Sequence, residues 1–176
     1  LNIHFLKTRR SVTMTDGVLT DYIAVQPDAR SQELWCEWLL KNNITKQAHQ
    51  GTHITIAYSK TRCDLAALFG WTSAEDIFTT TLKMPTPLRI TPKDMLGWEK
   101  FGKEGEYLVM LVKHPTLHHM HRNCLNMGAT TDFPDYKPHI TVDEIFDDID
   151  KDLLTLPEFD MVFDTCQITR EYMVSD

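Results

Sequence analysis

Two tripeptides in the chain, residues 53–55 and 139–141, share the sequence His-Ile-Thr. Histidine has an ordinary pKa of about 6.5, so one ring can take a proton from an attacking hydroxyl while the other protonates a departing oxygen. Each threonine hydroxyl can bind a nonbridging phosphoryl oxygen as negative charge develops there. This chemistry is phosphodiester cleavage without a metal or another cofactor. The predicted catalytic residues are His53, Thr55, His139 and Thr141.

The elements around each tripeptide form a repeat. A strand, a helix and a second strand that carries His-Ile-Thr occur in both halves of the chain. In chain order they are strand 21–27, helix 31–43 and strand 51–59, then strand 107–114, helix 115–127 and strand 139–142. In the first helix, Trp35 and Trp38 recur at helical spacing, and Ser31 is the predicted N-cap. Successive strand residues point to opposite faces, so each His and Thr share a face. A single tripeptide is explained by β propensity alone, but two in matched β-α-β units favour a catalytic pair in one cleft.

The remaining segments predict a short helix at 62–71, strands at 77–84, 87–91 and 94–98, and one or two strands within 158–173. Prolines in the middle segments favour sheet edges or turns. We expect residues 21–176 to form a single α+β domain of two lobes. Residues 1–20 show no clear periodicity, and we expect a flexible or artificial arm there.

The chain carries a formal net charge of −7, which disfavours a long nucleic acid as partner because such partners are gripped by clustered cations. A small phosphorylated ligand needs only one local donor-rich pocket. Four widely spaced cysteines indicate reduced thiols. Neither a membrane-spanning run nor a secretory signal is evident in the sequence. We therefore expect a cytoplasmic protein with no membrane partner and leave its oligomeric state open.

These features resemble the 2H phosphoesterase superfamily, which is named for two His-x-Thr or His-x-Ser motifs on duplicated β-α-β lobes. The resemblance covers about residues 20–175, and an apolar residue follows each motif, Ile56 and Val142. It implies an α+β fold with antiparallel sheets around a central cleft. It also implies a hydrolase that acts on nucleotide phosphodiesters with two histidines, although the sequence assigns neither ring as base or acid.

Within the superfamily, the resemblance favours the bacteriophage anti-CBASS branch, whose members degrade cyclic oligonucleotide signals. The expected substrate is then a cyclic di- or trinucleotide, and the expected location of a viral protein is the host cytoplasm. One alternative is a phosphodiesterase for RNA 2',3'-cyclic phosphates or 2',5'-linked oligonucleotides. Another is a noncatalytic module that sequesters a nucleotide.

Several side chains near the tripeptides are candidates for substrate binding. Aromatic rings can stack on a base, and a lysine can bind phosphate. Packing in the core or in a surface loop explains the same residues equally well. The candidates are Tyr22, Tyr58, Phe133, Tyr136 and Lys137.

A rival site is a histidine cluster in the second half, at His114, His118 and His121. Spacings of four and three residues place imidazoles on one helix face, where a transition metal could bind. However, His114 precedes a proline at the predicted end of a strand, and the cluster lacks a His-Glu-x-x-His pattern. We therefore expect no metal site there.

Overall fold

The computed structural model describes residues 17–44, 51–143 and 149–174. The described elements are strands β1 (Gly17–Pro27), β2 (Ile54–Ser59), β3 (Phe78–Ile90), β4 (Met95–Phe101), β5 (Tyr107–Val112), β6 (His139–Asp143) and β7 (Met161–Val174), and helices α1 (Ala29–Lys41), α2 (Leu65–Phe69) and α3 (Pro115–Asn126). Two short 3₁₀ turns, Pro92–Asp94 and Lys151–Leu153, complete the set. None of the described helices is long and apolar enough to cross a bilayer.

The described strands join in one antiparallel sheet of order β3-β7-β1-β2-β6-β5-β4. We call β1, β2, β3 and β7 with α1 and α2 lobe 1, and β4, β5 and β6 with α3 lobe 2. The lobes are joined through one register pair, Ile54 with Ile140, between β2 and β6. The predicted α+β class and the two β-α-β units are confirmed. The strands of the two lobes form the two halves of one continuous sheet.

One face of the sheet is apolar and covered by helices. Ile54, Ile140, Ile23 and Leu108 are all fully buried there. The helices also link the lobes, because Trp38 of α1 stacks on Trp98 of β4 at 5.3 Å between ring centroids. Packing on the apolar face thus holds the two lobes together in addition to the single register pair between β2 and β6.

The start of α1 corrects the predicted helix cap. Asp28, and not Ser31, is the N-cap, and its carboxylate accepts a hydrogen bond from the Ser31 amide at 2.7 Å. The Ser31 hydroxyl instead accepts from the Val162 amide at 2.7 Å, so it ties the helix to β7. A local cap pattern could not distinguish the two residues, because both types favour the N-cap.

Three strands are longer or more continuous than predicted. β1 begins at Gly17, so the ordered strand starts four residues before the expected boundary of the arm. The segments expected at 77–84 and 87–91 form one strand, β3, whose pairing with β7 shifts register between Lys83 and Leu88. The prolines lie in that shift on an edge strand, where missing donors are tolerated. Residues 158–173 contribute one strand, β7.

Candidate active site

The two His-Ile-Thr tripeptides meet at the centre of the sheet. Ile54 and Ile140 are paired and point into the core, so His53, Thr55, His139 and Thr141 face the opposite side. In this antiparallel register the two histidines are diagonal neighbours, a relation that places side chains roughly 7–8 Å apart. A single strand pair therefore brings the two motifs together on one face of the sheet.

Each imidazole is held by the same type of bond. Nδ1 of His53 lies 2.9 Å from the Gly51 carbonyl, and Nδ1 of His139 lies 2.7 Å from the Lys137 carbonyl. A carbonyl oxygen only accepts, so both Nδ1 atoms carry a proton. The exchangeable position is then Nε2 in both rings. A neutral Nε2 accepts a proton and a charged one donates it.

The surroundings of His139 lower the pKa of its imidazole. Burial lowers the pKa of His139, the bond to the Lys137 carbonyl opposes this shift, and the nearby His53 lowers the pKa further. The effect of His53 is consistent with two imidazoles that share one cleft. His139 therefore favours its neutral form at neutral pH.

A bulge follows each tripeptide. In lobe 1, Ile23 pairs with Ala57 and Ala24 with Thr55, so Ile56 is an extra residue in β2. In lobe 2, Leu108 pairs with Asp143 and Val109 with Thr141, so Val142 is likewise an extra residue in β6. A bulge bends a strand and re-aims its side chains, and such bulges are frequent beside active sites.

In lobe 1, two side chains bind the backbone at the bulge. The Tyr136 hydroxyl donates to the Thr55 carbonyl at 2.7 Å, and Nδ1 of His121 donates to the Ile56 carbonyl at 2.7 Å. The two rings stack at 4.1 Å between centroids, nearly parallel. Burial raises the pKa of the Tyr136 hydroxyl, which keeps its donor proton. The second motif's loop thus supports the first motif's strand.

Tyr22, predicted as a substrate contact, lies beside the first motif. Its hydroxyl is 3.1 Å from Thr55 Oγ1, and its ring meets the His53 ring edge to face at 6.2 Å. Burial raises the pKa of Tyr22. Its protonated hydroxyl can therefore donate to Thr55. Tyr58 pairs with Tyr22 across the strands, and its hydroxyl donates to the Met173 sulfur.

The other predicted contacts lie in the loop before β6. Lys137 has an exposed side chain next to His139, and its carbonyl holds the His139 ring. Phe133 is 74% exposed; its backbone carbonyl accepts a hydrogen bond from the Thr131 hydroxyl, and its amide donates to the same hydroxyl. The Tyr136 hydroxyl bonds to β2, and one face of the Tyr136 ring is covered by the stacked His121 ring.

Sequence reasoning missed Phe101, whose ring meets the His139 ring edge to face at 4.9 Å. The duplication held a partial signal for this region. Residues 21–25 and 106–110 align as Asp-Tyr-Ile-Ala-Val and Glu-Tyr-Leu-Val-Met, with the register shift at the same step. Tyr107 is the counterpart of Tyr22, and it pairs with Phe101.

The rival histidine cluster is divided among separate roles. His114 is the N-cap of α3 and its Nδ1 accepts from the Thr116 amide, whereas His121 binds the Ile56 carbonyl. His118 meets the Tyr136 ring edge to face. Within the part of the chain that the structure describes, no three His, Cys, Asp or Glu side chains are grouped as metal ligands.

Comparison with known proteins identifies a family that matches the chain. The family described as "Anti-CBASS protein Acb1" matches residues 19–173. An anti-CBASS protein Acb1 of Escherichia phage RB16 is 33% identical over 109 residues, which are 60% of this chain and 53% of that protein. The alignment thus spans about half the length of this relative.

Two solved structures share the fold. They are E. coli LigT complexed with 3'-AMP, with a TM-score of 0.50 and 15% identity, and E. coli LigT complexed with NADP+, with a TM-score of 0.51 and 11% identity. Each match covers 89% of this chain and 94% of LigT. The family match over residues 19–173 covers most of the chain and shows that the chain belongs to the anti-CBASS protein Acb1 family.

Proposed function

We propose that the chain is a metal-independent phosphodiesterase that hydrolyses cyclic di- or trinucleotide signals. The observation that carries this proposal is the Ile54–Ile140 pair, which presents both imidazoles on one face of the sheet. Each Nδ1 donates to a backbone carbonyl, which leaves both Nε2 atoms for proton transfer. Two such rings supply both proton transfers that the reaction needs.

We assign the base to His139 and the acid to His53. The lowered pKa of His139 favours the neutral ring that accepts a proton. His53 is then the ring that delivers a proton to the leaving oxygen. The sequence left these two roles open, and the surroundings of His139 provide the argument for this order.

For a 3',5' linkage, Nε2 of His139 takes the proton of the substrate's 2'-hydroxyl, and O2' attacks phosphorus. The bond from phosphorus to O5' breaks, and Nε2 of His53 protonates O5'. The products are a 2',3'-cyclic phosphate and a free 5'-hydroxyl. Water can open that cyclic phosphate with the roles exchanged, so that His53 takes the water proton and His139 protonates O2'.

The threonines stabilise the phosphoryl charge in this proposal. We assign the donor role in the 3.1 Å bond between the Tyr22 hydroxyl and Thr55 Oγ1 to Tyr22, which leaves the Thr55 hydroxyl proton for a nonbridging oxygen. Thr141 occupies the equivalent position in lobe 2 and binds the other nonbridging oxygen. Tyr58, Phe133 and Lys137 remain the proposed contacts to base and phosphate at the rim, and Tyr136 acts by positioning Thr55.

The substrate class rests on family membership together with the size and charge of the chain. The matching relative is named an anti-CBASS protein, and LigT structures of the same fold hold 3'-AMP and NADP+. A nucleotide is thus the ligand class favoured for this cleft. The net charge of −7 disfavours a long polyanion.

The test is hydrolysis of a substrate panel in the presence of EDTA. The panel contains cyclic dinucleotides, cyclic trinucleotides, 2',5'-oligoadenylate and RNA that ends in a 2',3'-cyclic phosphate. Wild type is compared with His53→Ala and His139→Ala, and the exposed α3 residue provides a matched control, His119→Ala. We expect wild type and the control to cleave a cyclic substrate and both active-site variants to lose that activity.

Other outcomes redirect the proposal. Preferential cleavage of a linear member of the panel identifies an RNA-end or 2',5' phosphodiesterase. Tight binding without turnover identifies a nucleotide-sequestering protein. Loss of activity in EDTA that zinc restores contradicts the metal-independent mechanism.

A further inference from the structure

The open face of lobe 1 continues outward from the first motif as three rows of side chains. Directly paired residues in an antiparallel sheet point to the same side, so the registers of the strand pairs define each row. The rows, from β1 through β7 to β3, are Tyr22-Thr169-Thr79, Ala24-Gln167-Thr81 and Gln26-Thr165-Lys83. Because Ala24 also pairs with Thr55, the middle row begins at the candidate active site. We call these nine residues the polar face.

The other side of the same strands is very different. There the paired rows include Ile23 with Ile168 and Val25 with Cys166, and all four are buried. Solvation alone requires only that the open side be polar. It does not require that this side carry almost only uncharged hydrogen-bonding groups.

The hydrogen bonds among side chains of the polar face leave some of their N–H and O–H donors for a ligand. Gln26 Nε2 donates to Gln167 Oε1 at 2.9 Å, and the Thr165 hydroxyl lies 3.5 Å from Gln26 Oε1. The oxygen of Gln167 is therefore occupied while its amide nitrogen keeps its protons for a ligand. Thr79 and Thr81 add exposed hydroxyls on the edge strand. Amide and hydroxyl donors suit the acceptor atoms of bases and phosphates.

The charge of the polar face differs from that of the chain. None of its nine residues is acidic, although the chain has a net charge of −7. Its one charged member is Lys83, which is exposed and has no carboxylate partner among the described residues. Lys83 lies two strands from Gln26, about 10 Å at ordinary strand spacing.

We infer that the polar face binds a second nucleotide unit of the substrate, with Lys83 on its phosphate and Gln167 on its base. This inference rests on the proposed function, because the first unit is placed with its phosphodiester between the two imidazoles. The distance from Thr55 on β2, along the middle row of the polar face, to Thr81 on β3 is three strand spacings, about 14 Å. A ligand anchored at the histidines reaches Lys83 only if it continues beyond one nucleotide.

The test measures binding in the inactive double variant His53→Ala/His139→Ala, so turnover cannot obscure affinity. The probes are 3',3'-cyclic di-AMP, 3',3',3'-cyclic tri-AMP and 3'-AMP, titrated by calorimetry. On this background we compare Lys83→Ala and the isosteric Gln167→Glu. The matched controls on the helix-covered side are Lys41→Ala and Gln32→Glu, both in α1. Thermal melting establishes that each variant is folded.

We expect cyclic-nucleotide affinity to fall about tenfold or more in Lys83→Ala and in Gln167→Glu, and to stay unchanged in the controls. The affinity of Lys83→Ala for the cyclic probes should depend less steeply on salt concentration than that of the parent, since one attraction between a cation and a phosphate is lost and salt screens such attractions. A merely structural role for Lys83 leaves this slope unchanged.

Equal affinities of variants and parent for both cyclic probes overturn the inference, whatever the hydrolysis panel shows. So does a parent that binds 3'-AMP as tightly as the cyclic probes. Selective weakening in the two polar-face variants supports it even if wild type proves to sequester its ligand without hydrolysis. The binding result and the hydrolysis result therefore fail independently.

Discussion

Lobe 1 and lobe 2 share the groups that are proposed to move protons and differ in the residues that surround them. Each has a His-Ile-Thr tripeptide, a ring held through Nδ1 by a backbone carbonyl, and a bulge one residue after the threonine. Lobe 1 extends outward through Gln167 and Lys83, whereas lobe 2 places Phe101 against its histidine. In the proposed function, the duplicated core supplies the chemistry and the unequal surroundings select the substrate.

The largest expected effect is the loss of either histidine. If both lobes contribute one proton transfer, His53→Ala and His139→Ala each lower kcat/KM by roughly 10²–10⁴. The double variant should lose much less than the product of the two, because the rings act as a unit. Steady-state kinetics on the preferred cyclic substrate measure this. An active single variant would show that one lobe acts alone and would break the comparison.

The lobes should also differ in their sensitivity to the loss of an ion pair. In lobe 1, Arg170 binds fully buried Asp21 through two bonds of 2.7 Å. Arg170→Met leaves that buried carboxylate without its cation, although the Cys63 amide still donates to it, and should lower the free energy of unfolding by about 3–5 kcal/mol. In lobe 2, the half-exposed pair of Lys151 and Glu99 is 3.9 Å apart, so Glu99→Gln should cost less than about 1 kcal/mol.

Urea denaturation of the two variants provides this measurement. Similar losses in Arg170→Met and Glu99→Gln would contradict the assigned difference between a buried and an exposed pair. A loss confined to Arg170→Met would identify the β1–β7 junction as a major source of lobe 1 stability.

A smaller effect is expected where the two lobes contact each other. Tyr136→Phe removes the donor to the Thr55 carbonyl while it keeps the stacked ring. The net value of one such bond predicts a decrease in kcat of about two- to tenfold. KM should change little, because the hydroxyl positions Thr55 and does not itself bind substrate. Tyr172→Phe, at the far end of β7, is the matched control. A rise in KM with unchanged kcat would instead make Tyr136 a direct substrate contact.

The smallest effect concerns the coupling of the two rings. The pKa of His139 should lie below the ordinary value of about 6.5. It should rise in His53→Gln, since a positive neighbour that opposes its protonation is removed. NMR titration of the His139 ring measures both values. An unchanged pKa in the variant would show that the two lobes are electrostatically independent.

The lowered pKa of His139 also makes the stability of the protein depend on pH. Because the folded state favours neutral His139, protonation favours unfolding. The contribution of this ring to stability is therefore complete above the ordinary histidine pKa and decreases as the pH falls from there through the folded pKa. Denaturation of wild type and His139→Gln across this interval should show a weaker acid sensitivity in the variant.

Local sequence was sufficient for the order of elements and for the motif faces. Alternation with period two placed His53 with Thr55 and His139 with Thr141, and the helical spacing of Trp35 and Trp38 located α1. It was insufficient for boundaries. Asp28 and Ser31 are both good caps, and prolines in 77–91 indicated a break where tertiary pairing maintains one strand through a register shift.

Thus the sequence by itself determined which residues could transfer protons and which side of their strands they occupy, because both properties depend on residue type and nearest neighbours. Only the tertiary structure decided that β2 lies against β6, that Phe101 meets His139, and that Gln167 lies beside Thr81. The physical reason is that alternation sets the face of a side chain within its own strand. Which distant strand becomes its neighbour depends on the burial of the whole apolar face, where α1 and α3 pack across both lobes.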